Sequence, residues 1–214
     1  MELEVVPYPG LSLAALSIEL PQALGDTPSP PWLQQALRKD APAPVAGSEA
    51  LRTAVRDLLR VHGYRPTGRG KPSSEYLVGA AADGRLGPIN PLVDCGNAAS
   101  LHSGLPISVV DLDRCRAPLR VDVPPPGSSY VFNRSGQEID VGGLLCLHDA
   151  DGPCANAVKD AQRTKTSTAT VRALAIVWGA EAPVPGHAAA TLRWLRELLA
   201  RCGATVDDVA VRSR

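Results

Sequence analysis

Proline and glycine interrupt this chain so often that no element can run far. There are 19 glycines and 20 prolines in 214 residues, about 18% against an average of roughly 12%. Glycine supplies turn conformations at low steric cost, and proline cannot donate to a helix or a central strand. The excess lies in the N-terminal loops and between residues 106 and 178, so short strands joined by tight turns are expected there. With three Trp, four Tyr and one Phe, the core has to be built from Leu, Val, Ala and Ile.

Lys plus Arg number 22, Asp plus Glu number 22, and the formal net charge is zero. That balance argues against strong non-specific nucleic-acid binding, whose affinity comes from many phosphate contacts. An apolar content of 44% argues against global disorder. No apolar run reaches the length of roughly 18 residues that a membrane helix needs. The start, Met1-Glu2-Leu3-Glu4, is acidic where a secretion signal is basic, so a cytoplasmic protein without a membrane partner is expected. The five cysteines, Cys95, Cys115, Cys146, Cys154 and Cys202, form no Cys-x-x-Cys pair and read as reduced, mostly buried thiols. Cys146, His148, Asp149, Asp151 and Cys154 crowd together, but zinc prefers a tighter pair of pairs. They read better as a strand followed by an Asp-Gly turn, and neither metal nor cofactor is expected.

Along the chain, residues 2–20 read as one or two strands. Residues 21–47 are proline-rich and read as a flexible connection, with a short helix over 32–38 started by Pro31. Ser48 caps a helix to His62, with Leu51, Val55, Leu58, Leu59 and His62 on one face, and Gly63 ends it. A loop carrying Arg65, Arg69 and Lys71 leads to a helix from Ser73 or Ser74 to about Ala82. A third helix covers roughly 92–103 and stops at Gly104. Strands follow at 107–112, 119–123, 129–133, 144–148 and 171–178. Residues 187–202 form the strongest helix, with a stripe of Leu192, Leu195, Leu199 and Cys202, and a last strand covers 205–211. The fold class is α+β, with helices flanking a strand-rich, largely antiparallel or barrel-like sheet. The chain reads as a single unit whose motif-bearing part spans about 50–180.

Phosphate-binding loops and Gly-x-Ser-x-Gly elbows are absent. Two segments carry chemistry instead. In the first, Asp94 and Asn97 share a helical face, and Asp111 and Asp113 follow on one side of a strand. Polar groups set in apolar runs need buried partners or a task. The second segment runs from Lys159 to Arg172. It holds Arg163 and Lys165 among the hydroxyls of Thr164, Thr166, Ser167, Thr168 and Thr170, and suits an anion or a ribose-phosphate end. For both, structural hydrogen bonding or a solvated loop is the competing reading.

Five short motifs appear in order: Lys71-Pro72-Ser73-Ser74-Glu75, Ile89-Asn90-Pro91-Leu92-Val93-Asp94, Gly104-Leu105-Pro106, Asp111-Leu112-Asp113, and Arg163-Thr164-Lys165 followed by Thr170. Together they resemble the B3/B4 domain of the phenylalanyl-tRNA synthetase beta subunit, most of all its free-standing relatives. The resemblance implies an α+β module of the kind that holds the editing site, where the ester of tRNA wrongly charged with tyrosine is hydrolysed. The chain departs from the synthetase pattern at several points, and residues 156–162 replace its glycine-rich segment before the last motif. Gly96 takes the place of a Thr before Asn97, and Ser108 stands where the synthetase has a histidine. The parts that charge tRNA are absent.

The function the resemblance implies is trans-acting hydrolysis of misacylated aminoacyl-tRNA. Asn97, Ser108, Asp111 and Thr164 are the candidate catalytic residues, holding a water and the developing oxyanion. Asp94, Asp113, Arg163, Lys165, Thr170 and Lys71 are the candidate binding residues for the amino acid moiety and the acceptor end of tRNA. Binding is expected to be weak, because the positive charge is local. A non-catalytic tRNA or amino-acid binding module, and an unrelated small-molecule hydrolase or binder on the same fold, remain open.

Overall fold

The apolar run after Arg172 becomes the strand around which the chain is organised. In the computed structural model, which describes residues 1–214, β9 (Arg172–Ala180) lies between β2 (Leu11–Glu19) and β3 (Ile107–Asp111). With β10 (Thr205–Asp208) on the far side of β2, these four form an antiparallel sheet. A five-stranded sheet runs in the order β11 (Ala210–Ser213), β1 (Glu2–Val5), β4 (Arg120–Asp122), β7 (Cys146–Asp149), β8 (Gly152–Asn156). There β1 is parallel to both its neighbours and the other pairings are antiparallel. A hairpin of β5 (Ser129–Val131) and β6 (Glu138–Asp140) stands apart from both sheets.

Side chains alternate across a strand, and β9 uses the alternation to separate two cores. Leu174, Ile176 and Trp178 meet Leu3, Val121, Leu144 and Leu147 between the sheets. Ala173 and Ala175 face the opposite way, against the helices. Small residues there let α4 (Pro91–Ser103) and α5 (His187–Arg201) settle close, with Leu92, Cys95, Leu195 and Leu199 filling the layer. Helix α1 (Pro31–Ala36) joins that layer through Leu33, while α2 (Glu49–Arg60) packs Val55 with Leu105, Val177 and Ala188. Helix α3 (Ser73–Ala82) lies against α4.

The expected α+β class and antiparallel bias hold, but no sheet closes into a barrel. Ser48 caps α2 through the Leu51 amide as its sequence position predicts. The buried face of α5 is broader than the expected leucine stripe: Thr191, Trp194 and Leu198 are buried with Leu195 and Leu199, and Leu192 is only partly so. The expected last strand splits at the buried Val209 into β10 and β11, which join different sheets. Residues 21–47 are not a loose connection. The Leu20, Leu24 and Gly25 amides bond carbonyls at Val171, Thr170 and Thr168, and Gly47 bonds His102. Leu24, Leu33, Leu37 and Val45 are buried. The segment is a strap tied to the strand start and to α4. The strand after the Asp-Gly turn, β8, begins Gly-Pro, which reads as a breaker. Pro153 is tolerated because the register slips there, leaving a bulge opposite Leu147 and His148. No helix is long and apolar enough to cross a membrane.

Gly179 marks where β9, β2 and α5 come closest. A Cβ there would lie 2.7 Å from the Ser12 carbonyl oxygen and 2.7 Å from Ala188 Cβ. Neither can retreat, since one is strand backbone and the other is fixed in the helix. Gly179→Ala is therefore expected to cost about 1–3 kcal/mol, read as a lower denaturation midpoint.

Candidate functional site

Helix α4 opens with Asn90, whose side chain accepts from the Val93 amide at 2.9 Å, followed by Pro91 at the first helical position. That start buries Asp94 completely. Its carboxylate accepts from the Ile89 amide at 3.0 Å and from the Ser29 hydroxyl at 2.6 Å. Asn97 lies one turn further along the same helix. Burial pushes the Asp94 carboxyl up, against the pull of these donors. Asp94 thus anchors the strap to the helix. Beside it, a Cβ on Gly96 would lie 3.1 Å from Val109 Cγ2, so a threonine there would collide with β3.

Ser108 projects from the other face of β3, into the space between the sheets. Its hydroxyl donates to Asp160 Oδ1 at 2.7 Å and accepts from Trp178 Nε1 at 2.9 Å. Asp160 Oδ1 also accepts from the Asn156 amide at 3.3 Å. Asn156 Nδ2 donates to the Tyr130 hydroxyl at 2.7 Å, and that hydroxyl donates to the Lys159 carbonyl at 2.5 Å. The Asn156 side-chain oxygen accepts from the Val158 and Lys159 amides and pins the turn that carries Asp160. Burial raises the Asp160 carboxyl to about 6 despite its donors and the nearby Lys165 ammonium. Asp160 keeps some solvent exposure, whereas Ser108 is only 1% exposed.

The other expected site residues are tied up elsewhere. Asp111 ends its strand. It caps the short turn 112–114 by accepting from the Asp113 amide at 2.9 Å, and accepts from the Thr170 hydroxyl at 2.6 Å. Asp111 and Asp113 therefore do not share a strand face, and Asp113 is paired with Arg172. Thr164 is fully buried and donates to the carbonyls of Cys154 and Ala161. Arg163 makes two 2.7 Å bonds to Asp149, whose side chain is 0% exposed. The Asp149 carboxyl, despite its burial, lies below the usual carboxylate range because of Arg163 and two backbone amides. Lys165 Nζ donates to the Phe132 carbonyl at 2.6 Å. Asn97, Ser108, Asp111 and Thr164 have no hydrogen-bond partner in common, and none of them lines the five principal clefts. The charges of Arg163 and Lys165, expected to meet phosphates, are used inside the protein. Cys146, His148, Asp149, Asp151 and Cys154 do not converge either, and no group of three or more His, Cys, Asp or Glu is arranged to hold a metal ion.

Free cations lie around two clefts on either side of the loop 68–72. One, of about 540 Å³, is lined by Tyr64, Arg69, Phe132, Glu138, Asp140 and Lys159 among others. Lys159 Nζ sits 4.1 Å from the centre of the Phe132 ring. Its ammonium is pushed down by burial and by Arg69 and Lys165. Asp160 follows Lys159 directly, and the Tyr130 hydroxyl of the Ser108 network bonds the Lys159 carbonyl. The second cleft, of about 740 Å³, is lined by Lys71, Lys39, Ser74 and His102 with the strap. Sequence reasoning missed Asp160, Asn156, Tyr130 and Trp178. The one available signal was Asp160 itself, the sole acid in the basic run from Lys159 to Arg172.

No protein-family profile matches the chain, and no curated protein sequence matches it. The fold is similar to a crystal structure of an N-terminal fragment of the phenylalanyl-tRNA synthetase beta subunit from Pyrococcus horikoshii. The TM-score is 0.57 at 11% identity, over 100% of this chain and 52% of that one. The chain thus spans about half the length of the fragment whose fold it shares.

Two consequences are measurable. The folded Asp160 value of about 6 exceeds the unfolded value of about 3.9. The folded state therefore holds the extra proton between them, and stability falls as pH rises from about 4 to about 6, by about 1–2 kcal/mol after solvent screening. Asp160→Asn keeps the acceptor oxygen and should flatten melting temperature over that range; an unchanged slope refutes the assignment. Arg163→Met strands the buried Asp149 carboxylate and should cost about 2–3 kcal/mol, with little effect on tRNA binding measured by filter retention.

Proposed function

We propose that this protein hydrolyses the ester of misacylated aminoacyl-tRNA, with Asp160 as the general base. The observation that carries the reading is the partly exposed Asp160 carboxylate, held by the Ser108 hydroxyl at 2.7 Å and next in sequence to Lys159, which walls a cleft with Arg69, Phe132 and Tyr64; burial raises the carboxyl to about 6. The likeness in fold to a phenylalanyl-tRNA synthetase beta-subunit fragment and the ordered motifs support the choice of substrate.

An aminoacyl ester is already activated, so the site has to supply position and a proton acceptor. Near neutral pH, Asp160 is ionised and takes a proton from water as that water attacks the ester carbonyl; the acyl–oxygen bond then breaks, the ribose oxygen leaves with that proton, and the free amino acid and the Asp160 carboxylate are released. Ser108 is a positioning residue: its hydroxyl, fixed by Trp178, aims the carboxylate. Lys159 and Arg69 meet the terminal phosphates, and the Phe132 and Tyr64 rings offer stacking faces for the end bases. Lys165 holds the wall through its bond to the Phe132 carbonyl.

Incubation with a panel of misacylated tRNAs, followed by loss of the ester, tests the reading. Asp160→Asn should lower kcat about 10²-fold or more with tRNA affinity unchanged. Arg69→Ala with Lys159→Ala should weaken binding and reduce the salt slope by about one for each lost contact. Hydrolysis by Asp160→Asn at the wild-type rate rules out the general base. Binding without hydrolysis across the panel leaves a tRNA-binding module, and no effect of the Arg69 and Lys159 changes removes tRNA as the ligand of this cleft.

A further inference from the structure

Four of the five cysteines lie in two pairs, and one pair is placed to react. Cys95, in α4, is fully buried between Asp94 and Gly96. Cys202, at the end of α5, is partly exposed. Their sulfurs are 3.8 Å apart although the residues are 107 positions apart in sequence. Both thiols are free. A disulfide needs about 2.05 Å between sulfurs, so closing the gap takes a movement of under about 2 Å between side chains that already touch.

We propose that Cys202 and Cys95 form a thiol–disulfide exchange site whose substrate is a low-molecular-weight disulfide. Cys202 is the attacking sulfur and Cys95 the resolving one, and the geometry divides these roles: only Cys202 reaches solvent, and only Cys95 lies against it from within. Hydrogen bonding from Cys95 and the neighbouring Arg201 pull the Cys202 thiol down against its partial burial. The bond to Cys202 and burial hold the Cys95 thiol up. The thiolate is the nucleophile, so the exposed partner is also the activated one. Asp94, beside Cys95 in α4, raises both thiols, adding to burial on Cys95 and opposing Arg201 on Cys202.

The exchange has two steps. The Cys202 thiolate attacks one sulfur of the small disulfide; a Cys202–sulfur bond forms, the substrate S–S bond breaks, and one small thiolate leaves. The Cys95 proton passes to that thiolate. Cys95 then attacks the Cys202 sulfur, the second small thiolate leaves, and a proton from the medium converts it to the thiol. Two protein thiols are oxidised to one disulfide, and one small disulfide is reduced to two thiols. The product staples α4 to the end of α5, next to the residues that anchor the strap. Cys115 and Cys154 form the second pair, and Cys146 instead accepts from Asn156 Nδ2 at 3.6 Å.

The probe is oxidised glutathione, applied to the reduced full chain, with thiols then trapped by alkylation in denaturant and mapped by mass spectrometry. The expected product has no glutathione attached, two fewer alkylated thiols, and a cross-link joining the peptides of Cys95 and Cys202. Cys95→Ser is expected to stop at a stable glutathione adduct on Cys202, and Cys202→Ser to leave Cys95 unmodified in the folded chain. A wild-type protein that halts at the Cys202 adduct, remains unmodified, or joins Cys115 to Cys154 while Cys95 and Cys202 stay free overturns the proposal.

Discussion

The structure depends on the two-sided packing of the sheet that contains β9. Ala173 and Ala175 on one side, and Leu174, Ile176 and Trp178 on the other, set how near each neighbouring layer can come. Helices approach the small side, and the second sheet is held off by the large side. Each fully buried Leu or Ile contributes about 1.5–3 kcal/mol by leaving water, and with few aromatic residues those aliphatic contacts carry both cores. Everything polar in the interior has to fit between these two apolar fillings.

That constraint explains the distribution of the chemistry. A residue on β3 is committed to one face by its parity: Ser108 looks into the gap between the sheets, and Val109 looks at α4. Asn97 and Asp94, on α4, belong to the helix side. Sequence neighbours separated by a turn therefore end on opposite sides of a sheet, and a shared motif does not make a shared cavity. The inter-sheet polar group survives because its members satisfy one another. Trp178 bonds Ser108, Ser108 bonds Asp160, and Asn156 holds both Tyr130 and the turn that presents the carboxylate. A half-satisfied version would be costly in so apolar a setting.

Much of the fold was legible because its signals are local. Ser48 and Gly104 act as caps whatever surrounds them, and the apolar run of β9 is visible in its own residues. What escaped was set by distant partners. The hairpin strand β6 is the polar triplet Glu-Ile-Asp and is a strand only because β5 lies beside it. The strap reads as loose because prolines break its pattern, yet its amides find carbonyls near Thr170 and its Ser29 finds Asp94. Basic residues are ambiguous in the same way. Arg163 looks available to an anion until Asp149, fourteen positions earlier, proves to be buried opposite it.

The parallel pairing of β1 with β11 joins residues 2–5 to residues 210–213. During synthesis the amides and carbonyls along that side of β1 have no partner until β11 has been made. Contacts of such large sequence separation slow folding and leave a strand edge open to other chains in the meantime. The five-stranded sheet is thus completed only once β11 has been made, whereas the hairpin of β5 and β6 can form as soon as its own few residues exist.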